Sequence, residues 1–146
     1  MPAIIRRGGE GERLPVGASQ VVLKATGEET AGKLFMSETT LAPATEGPPE
    51  HFHETLHDMF YVLEGTLSIS VDGEMHELEP DSFICVPPRT PHAISNAAAV
   101  PVRFLNLATP SGWESFMRDL SAASADGRPD PDDVAGIAQK YDWYPA

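Results

Sequence analysis

One cysteine in 146 residues excludes a disulfide framework within the chain, so the fold must be held by its core. That residue, Cys85, lies in the apolar run Phe83 to Val86 and reads as a buried structural thiol. Basic residues are also scarce. Ten Lys and Arg stand against 22 Asp and Glu, a formal net charge of −12, which excludes nucleic-acid binding through clustered cations and disfavours anionic membranes. Long apolar runs are missing. No stretch approaches the ~20 residues needed to cross a bilayer, and the N-terminus lacks the apolar centre of a signal peptide. Internal repeats and low-complexity segments are absent too. The expectation is a soluble, cytoplasmic protein of one domain, large enough to bury a core without staples.

What the chain does have is a histidine cluster. Three of its five histidines, His51, His53 and His57, fall between Gly47 and Gly65. In an extended segment positions i and i+2 face the same side, so His51 and His53 can offer two imidazoles to one object. A metal ion is the natural object, because neutral imidazole ligates Zn, Fe, Ni and Cu alike. A second segment, Asp81 to Asn96, carries His92 behind a Pro-rich turn, forty-one residues beyond His51.

Together the two segments resemble the paired motifs of the cupin superfamily, G-x5-H-x-H-x3-4-E-x6-G and G-x5-P-x-G-x2-H-x3-N. His51, His53 and Gly65 match the first, and Pro87, His92 and Asn96 match the second. Asp81 and Arg89 stand where the family usually has glycines, and Gly47 lies two residues nearer His51 than the pattern has it. The resemblance implies a jelly-roll β-sandwich or barrel holding one divalent transition-metal ion, with zinc favoured over Fe, Ni or Mn. It also implies a homodimer.

The family's glutamate is replaced. Counting back from Gly65 puts Asp58 in its place, and counting on from His53 puts His57 there. Strand alternation with Phe60 and Val62 turns Asp58 inward, whereas a bulge at the strand's start would turn His57 inward. Asp is one methylene shorter than Glu, and histidine has the length. The expected ligand set is therefore His51, His53, His57 and His92, with Asp58 as the catalytic base. Four histidines without a carboxylate resemble the aromatic polyketide cyclases of the resistomycin and tetracenomycin type.

The remaining chain reads as an all-β fold with one or two short C-terminal helices. Residues 1–17 form an arm or edge strand, 18–108 the barrel, and 109–146 a helical segment. Strands are expected at Gln20 to Ala25 and Lys33 to Leu41, a hairpin around Glu64-Gly65, and another at Asp72-Gly73, where Asp-Gly between alternating runs is the strongest short hairpin signal. Trp113, Phe116, Met117 and Leu120 recur at helical spacing behind a capping-box pattern at Ser111 to Glu114, and Asp130-Pro131 starts a second helix. The tail D-W-Y-P-A is aromatic and suited to covering a pocket or a neighbouring subunit.

Inward candidates Phe35, Phe60, Val62, Phe83, Ile94 and Phe104 are apolar, which suits an aromatic or poly-keto guest better than a sugar. The leading expectation is a metal-dependent cyclase that closes and aromatises a poly-β-keto substrate, with that substrate free or on an acyl carrier protein. A carrier of the same negative sign would need a basic patch from Arg6, Arg7 or Arg103. Quercetinase-like dioxygenation is the alternative chemistry, and a non-catalytic cupin that binds a small ligand is the alternative from another class. His76 reads as an ordinary strand histidine.

Overall fold

The structure, a computed structural model, describes residues 2–125, 127 and 130–146. Among them the chain runs β1 (Glu12–Val16), β2 (Ser19–Ala25), α1 (Gly27–Thr30), β3 (Phe35–Leu41), β4 (Thr45–Glu46), β5 (His51–Phe52), β6 (His57–Glu64) and β7 (Leu67–Val71). It continues through β8 (Glu74–Leu78), β9 (Phe83–Val86), β10 (His92–Asn96), β11 (Val102–Thr109), α2 (Trp113–Ala123), α3 (Pro131–Ala138) and β12 (Tyr144–Pro145). One antiparallel sheet has the order β1-β2-β3-β11-β6-β9. The other runs β12-β5-β10-β7-β8, with β4 also paired to β10. This is the expected all-β, two-sheet jelly roll.

Period-2 patterning decides which side chains fill the space between the sheets. On β6, Asp58, Phe60 and Val62 are buried while His57 and Glu64 are exposed, and β11 alternates without a break from Val102 to Ala108. Phe60, Val62, Leu67, Ile69, Val86, Val102 and Phe104 make one apolar cluster between the sheets. A second cluster forms where the helices close the sandwich, joining Leu23 and Phe35 to Trp113, Phe116 and Leu120. The stripe read from the sequence is thus the buried face of α2.

Several expectations are corrected. Glu64-Gly65 is not a hairpin: β6 pairs with β11 and β9, β7 pairs with β10 and β8, and the chain crosses between sheets at Gly65. Gly65 has φ +78°, and any Cβ there would lie 2.6 Å from the Pro101 carbonyl oxygen, so only glycine allows the crossing. The Asp72-Gly73 turn is a hairpin as expected, with both residues at positive φ. Phe83 and Cys85 are exposed, not buried, because β9 is an edge strand whose inward positions are Ile84 and Val86. The cap of α2 is Gly112, not Ser111; Glu114 accepts from the Gly112 N–H at 2.8 Å and from the Gly27 N–H at 2.7 Å, tying α2 to α1. Asp130 does cap α3, accepting from the Asp133 N–H at 2.9 Å. Residues 12–16 of the expected arm form an edge strand on β2 of the same chain.

Asp81 and Arg89, the two positions where the resemblance has glycine, keep the left-handed backbone at φ +71° and +66°. That conformation costs an L-residue about 1–2 kcal/mol, while glycine's extra freedom in the unfolded chain costs about 0.4–1 kcal/mol. Arg89 pairs with Glu54 at 3.1 Å, but both side chains are solvated and the pair contributes little. Arg89→Gly is therefore expected to stabilise the protein by about 0.5–1 kcal/mol, read as a higher urea midpoint with unchanged slope; a lower midpoint would refute the account.

Candidate metal centre

Strand pairing brings the two histidine segments together. β10 lies between β5 and β7, and His92 sits directly opposite His51 in that register. His53 follows one residue after β5. All three are buried, and one ring nitrogen of each lies within 4.8 Å of the others.

The second nitrogen of each ring is already committed. His51 Nδ1 lies 2.7 Å from the Pro49 carbonyl oxygen, His53 Nδ1 2.5 Å from that of Asp142, and His92 Nδ1 2.9 Å from that of Thr90. A carbonyl oxygen can only accept, so every Nδ1 carries the proton and leaves Nε2 as the free donor atom. Asp58 enters from β6, in the opposite sheet. Its Oδ2 lies 3.1 Å from His92 Nε2 and 3.4 Å from His53 Nε2, and its Oδ1 accepts from Asn106 Nδ2 at 2.7 Å. Donor atoms sharing an ion at bonds of about 2.0–2.2 Å are separated by distances of this order.

Burial dominates the electrostatics. It lowers the His51 imidazole to about 3, helped by the neighbouring His92. Burial acts the same way on His53, but the Asp58 carboxylate more than offsets it and holds His53 above the ordinary imidazole value. For Asp58, burial alone would push the carboxyl up; the adjacent His53 and His92 imidazoles win and hold it well below the usual carboxylate range. His53 Nε2 is buried without a hydrogen-bond partner, as an atom kept for a metal would be. Three imidazole nitrogens and one carboxylate oxygen fit a divalent transition-metal ion.

His57 is not part of this set. β6 keeps its alternation from the first residue, with His57 opposite Thr109 and Asp58 opposite Ala108, and its register with β11 shifts only at the far end, between Arg103 and Phe104. No bulge turns His57 inward, and it is exposed. Asp58 takes the place expected for it. Asp58, expected as the general base, faces the histidines, with its Oδ2 3.1 Å from His92 Nε2. His76 is exposed beside Glu74, as expected.

Four supporting residues escape a reading by motif. Asn106 anchors Asp58, and a polar residue two positions from inward-facing Phe104 was the available signal. Trp113 and Trp143 lie nearly parallel to the His51 ring, with centroids 6.3 and 5.6 Å away. Asp142 holds His53 through its backbone oxygen, which no side-chain pattern reveals. Beside the centre opens a cleft of about 830 Å³, walled by Leu41, Ile94, Phe104, Met117, Leu120 and Val134. Asn106 and Pro49 also line it, so it borders the groups that hold Asp58 and His51.

Residues 37–108 match the family described as "Cupin domain". The chain is similar to quercetin 2,3-dioxygenase of Bacillus subtilis (strain 168), 30% identical over 112 residues, 77% of this chain and 33% of that protein. It is also similar to the tetracenomycin polyketide synthase protein TcmJ of Streptomyces glaucescens, 36% identical over 69 residues, 47% of this chain and 46% of that protein. The chain therefore spans less than half the length of these curated relatives. The polyketide cyclase RemF from Streptomyces resistomycificus shares the fold, with TM-score 0.62 and 23% identity over 76% of this chain and 81% of that one. Among the described residues, no helix is long and apolar enough to cross a membrane.

The ligand assignment is checked by metal analysis of purified variants. His57→Ala should keep the metal content of the native chain, whereas Asp58→Ala should weaken binding by about 10-fold or more and His92→Ala should leave the centre largely empty. Metal lost from His57→Ala but kept by Asp58→Ala would reverse the assignment.

Proposed function

This chain carries a cupin domain, and from that premise we propose a metal-dependent enzyme that cyclises an aromatic or poly-keto small molecule. The observation that carries the reading is the meeting of a buried three-histidine, one-carboxylate centre with a large apolar cleft at Asn106. A cleft of this size suits a compact multi-ring guest, and its walls offer little to a sugar or phosphosugar.

A divalent ion, zinc by preference, held by His51, His53, His92 and Asp58 would supply Lewis acidity toward a keto oxygen. The protein's own contribution is placement. Leu41, Ile94 and Phe104 fold a flexible poly-keto chain and keep water from it. The imidazoles take no part in proton transfer, because their Nδ1 protons are held by carbonyl oxygens. Glu46 and Glu50 line the cleft and are the carboxylates that can receive a proton from an activated CH2.

The substrate is proposed to arrive free. Arg6 is paired with Glu29 at 2.6 Å, Arg89 with Glu54 at 3.1 Å, and Arg103 with both Glu38 and Glu64 at 2.6 and 2.9 Å. These three cations have their counter-charges within the chain, which does not favour docking of an acidic carrier protein through them.

A second reading, oxygenation of a flavonol-like substrate on a redox-active ion, is favoured by one observation: the fourth donor is the Asp58 carboxylate and not a fourth imidazole. Oxygen separates the two. Zinc-loaded protein should turn over a poly-β-keto substrate under strict anaerobiosis at a rate within about twofold of that in air. Stoichiometric oxygen consumption, with no anaerobic product, would sink the cyclase and leave the oxygenase.

A further inference from the structure

We propose that the segment Asp142–Ala146 is a working part of the metal centre, and that Asp142 is its positioning residue. The inference rests on the metal reading above and concerns how two of the ligands are held.

The four donors are supported unequally. His92 is the first residue of β10 and is paired with strands on both sides, and Asp58 lies inside the eight-residue β6. His51 sits in β5, a strand of two residues, and His53 lies beyond its end. β5 meets β10 at a single register position. What completes its support comes from the far end of the chain: β12 pairs with it, Tyr144 opposite Phe52 and Pro145 opposite His51, and the Ala146 N–H donates to the Glu50 carbonyl at 3.2 Å.

Asp142 adds two kinds of contact. Its backbone oxygen accepts the His53 Nδ1 proton, which sets the tautomer and aims Nε2 at the centre. Its carboxylate accepts three consecutive backbone N–H groups, Glu54 at 2.7 Å from Oδ1 and Thr55 and Leu56 each at 2.9 Å from Oδ2. Those residues are the loop between His53 and β6, which carries Asp58. One side chain therefore fixes the spacer between two ligands while its own backbone orients the first. Charge-assisted bonds to a row of N–H groups are strong and directional. Next to it, Trp143 is buried and lies 5.6 Å from the His51 ring at 22°, and Tyr144 stacks on Phe52 at 5.4 Å. Residues eighty-eight positions apart thus share one contact set.

The inference predicts a specific loss. Without the Asp142 carboxylate the spacer loosens, His53 is no longer held in place, and affinity falls while the barrel and its His92–Asp58 pair remain. The test is titration of the metal-free chain with Co2+, followed by the visible absorption of the ion, alongside thermal unfolding. Asp142→Ala should bind Co2+ about 10- to 100-fold more weakly than the native chain and still unfold cooperatively, while Asp142→Asn, whose amide oxygen can still accept from the loop, should recover part of the loss. In a His53→Ala background Asp142→Ala should cost little further affinity, because the ligand it positions is gone. Trp143→Phe, which keeps an aromatic face toward His51, provides a second variant if Asp142→Ala fails to fold, and should bind within about threefold of native if stacking is what the tail supplies there. Equal Co2+ affinity and spectra for Asp142→Ala and the native chain would overturn the proposal alone. A full additional loss in the His53→Ala background would also overturn it, by showing a general structural role. A native chain that binds neither Co2+ nor Zn2+ would overturn the metal reading and this inference together.

Discussion

Three backbone carbonyls decide the chemistry of this protein. Each takes the Nδ1 proton of one histidine, from Pro49, Asp142 and Thr90, and so determines that the free Nε2 of every ring points toward a common centre. Without those bonds three buried imidazoles would be free to choose tautomers. With them, the choice is made before any ligand arrives. The carbonyls come from parts of the chain that share nothing in sequence: a proline-rich loop, the turn before β10, and the last residues. The fold is what makes them neighbours, and most of its architecture can be understood as holding these acceptors and their donors in place.

The sheet arrangement does this with two kinds of element. β10 is flanked on both sides, by β5 and β7, so His92 is held from both sides. β6 crosses the opposite sheet between β11 and β9 and delivers Asp58 from the other wall. A carboxylate so deeply buried carries a desolvation cost of several kcal/mol that must be offset by partners of opposite charge or by hydrogen bonds. Asn106 supplies one such bond, and a cation held among the imidazoles would supply the opposite charge. Three imidazole nitrogens and one carboxylate oxygen are also a donor set that suits a divalent transition-metal ion. The interior is otherwise apolar, which strengthens each of these interactions by keeping water away.

Much of this was legible in the sequence. The spacing of His51 and His53, the return of the pattern at His92, and the Asp72-Gly73 hairpin each rest on local geometry, and local geometry is what a sequence encodes directly. The choice between His57 and Asp58 was legible as well. Phe60 and Val62 place Asp58 inward by simple alternation, and the expectation of a bulge set aside the stronger signal. Other features were not local. Nothing in Glu64-Gly65 says whether the two flanking strands pair with each other or join different sheets, and only the close approach to Pro101 makes the glycine's purpose plain. Phe83 and Cys85 form part of an apolar run, yet β9 lies at a sheet edge, so half of that run faces solvent. Burial depends on the neighbours a strand acquires. Support from a backbone oxygen, as at Asp142, leaves no trace in residue type.

The centre and the cleft meet at Asn106, and that junction constrains what the protein can do. One amide nitrogen donates to the Asp58 carboxylate at 2.7 Å and to the Met59 carbonyl at 3.1 Å, while the same side chain lines the cleft. The cleft therefore borders the group that anchors a ligand, while the His51 ring is stacked by Trp113 and Trp143 and the His53 ring meets Trp113 edge-on. The cleft that reaches this junction has an apolar wall formed by Leu41, Ile94 and Phe104. The proposed guest, an apolar, flat or foldable compound with one oxygen to present, suits such a wall. On the proposed function, a heavily hydroxylated guest would leave polar groups unpaired along that wall, at a cost of about 1–3 kcal/mol for each buried group.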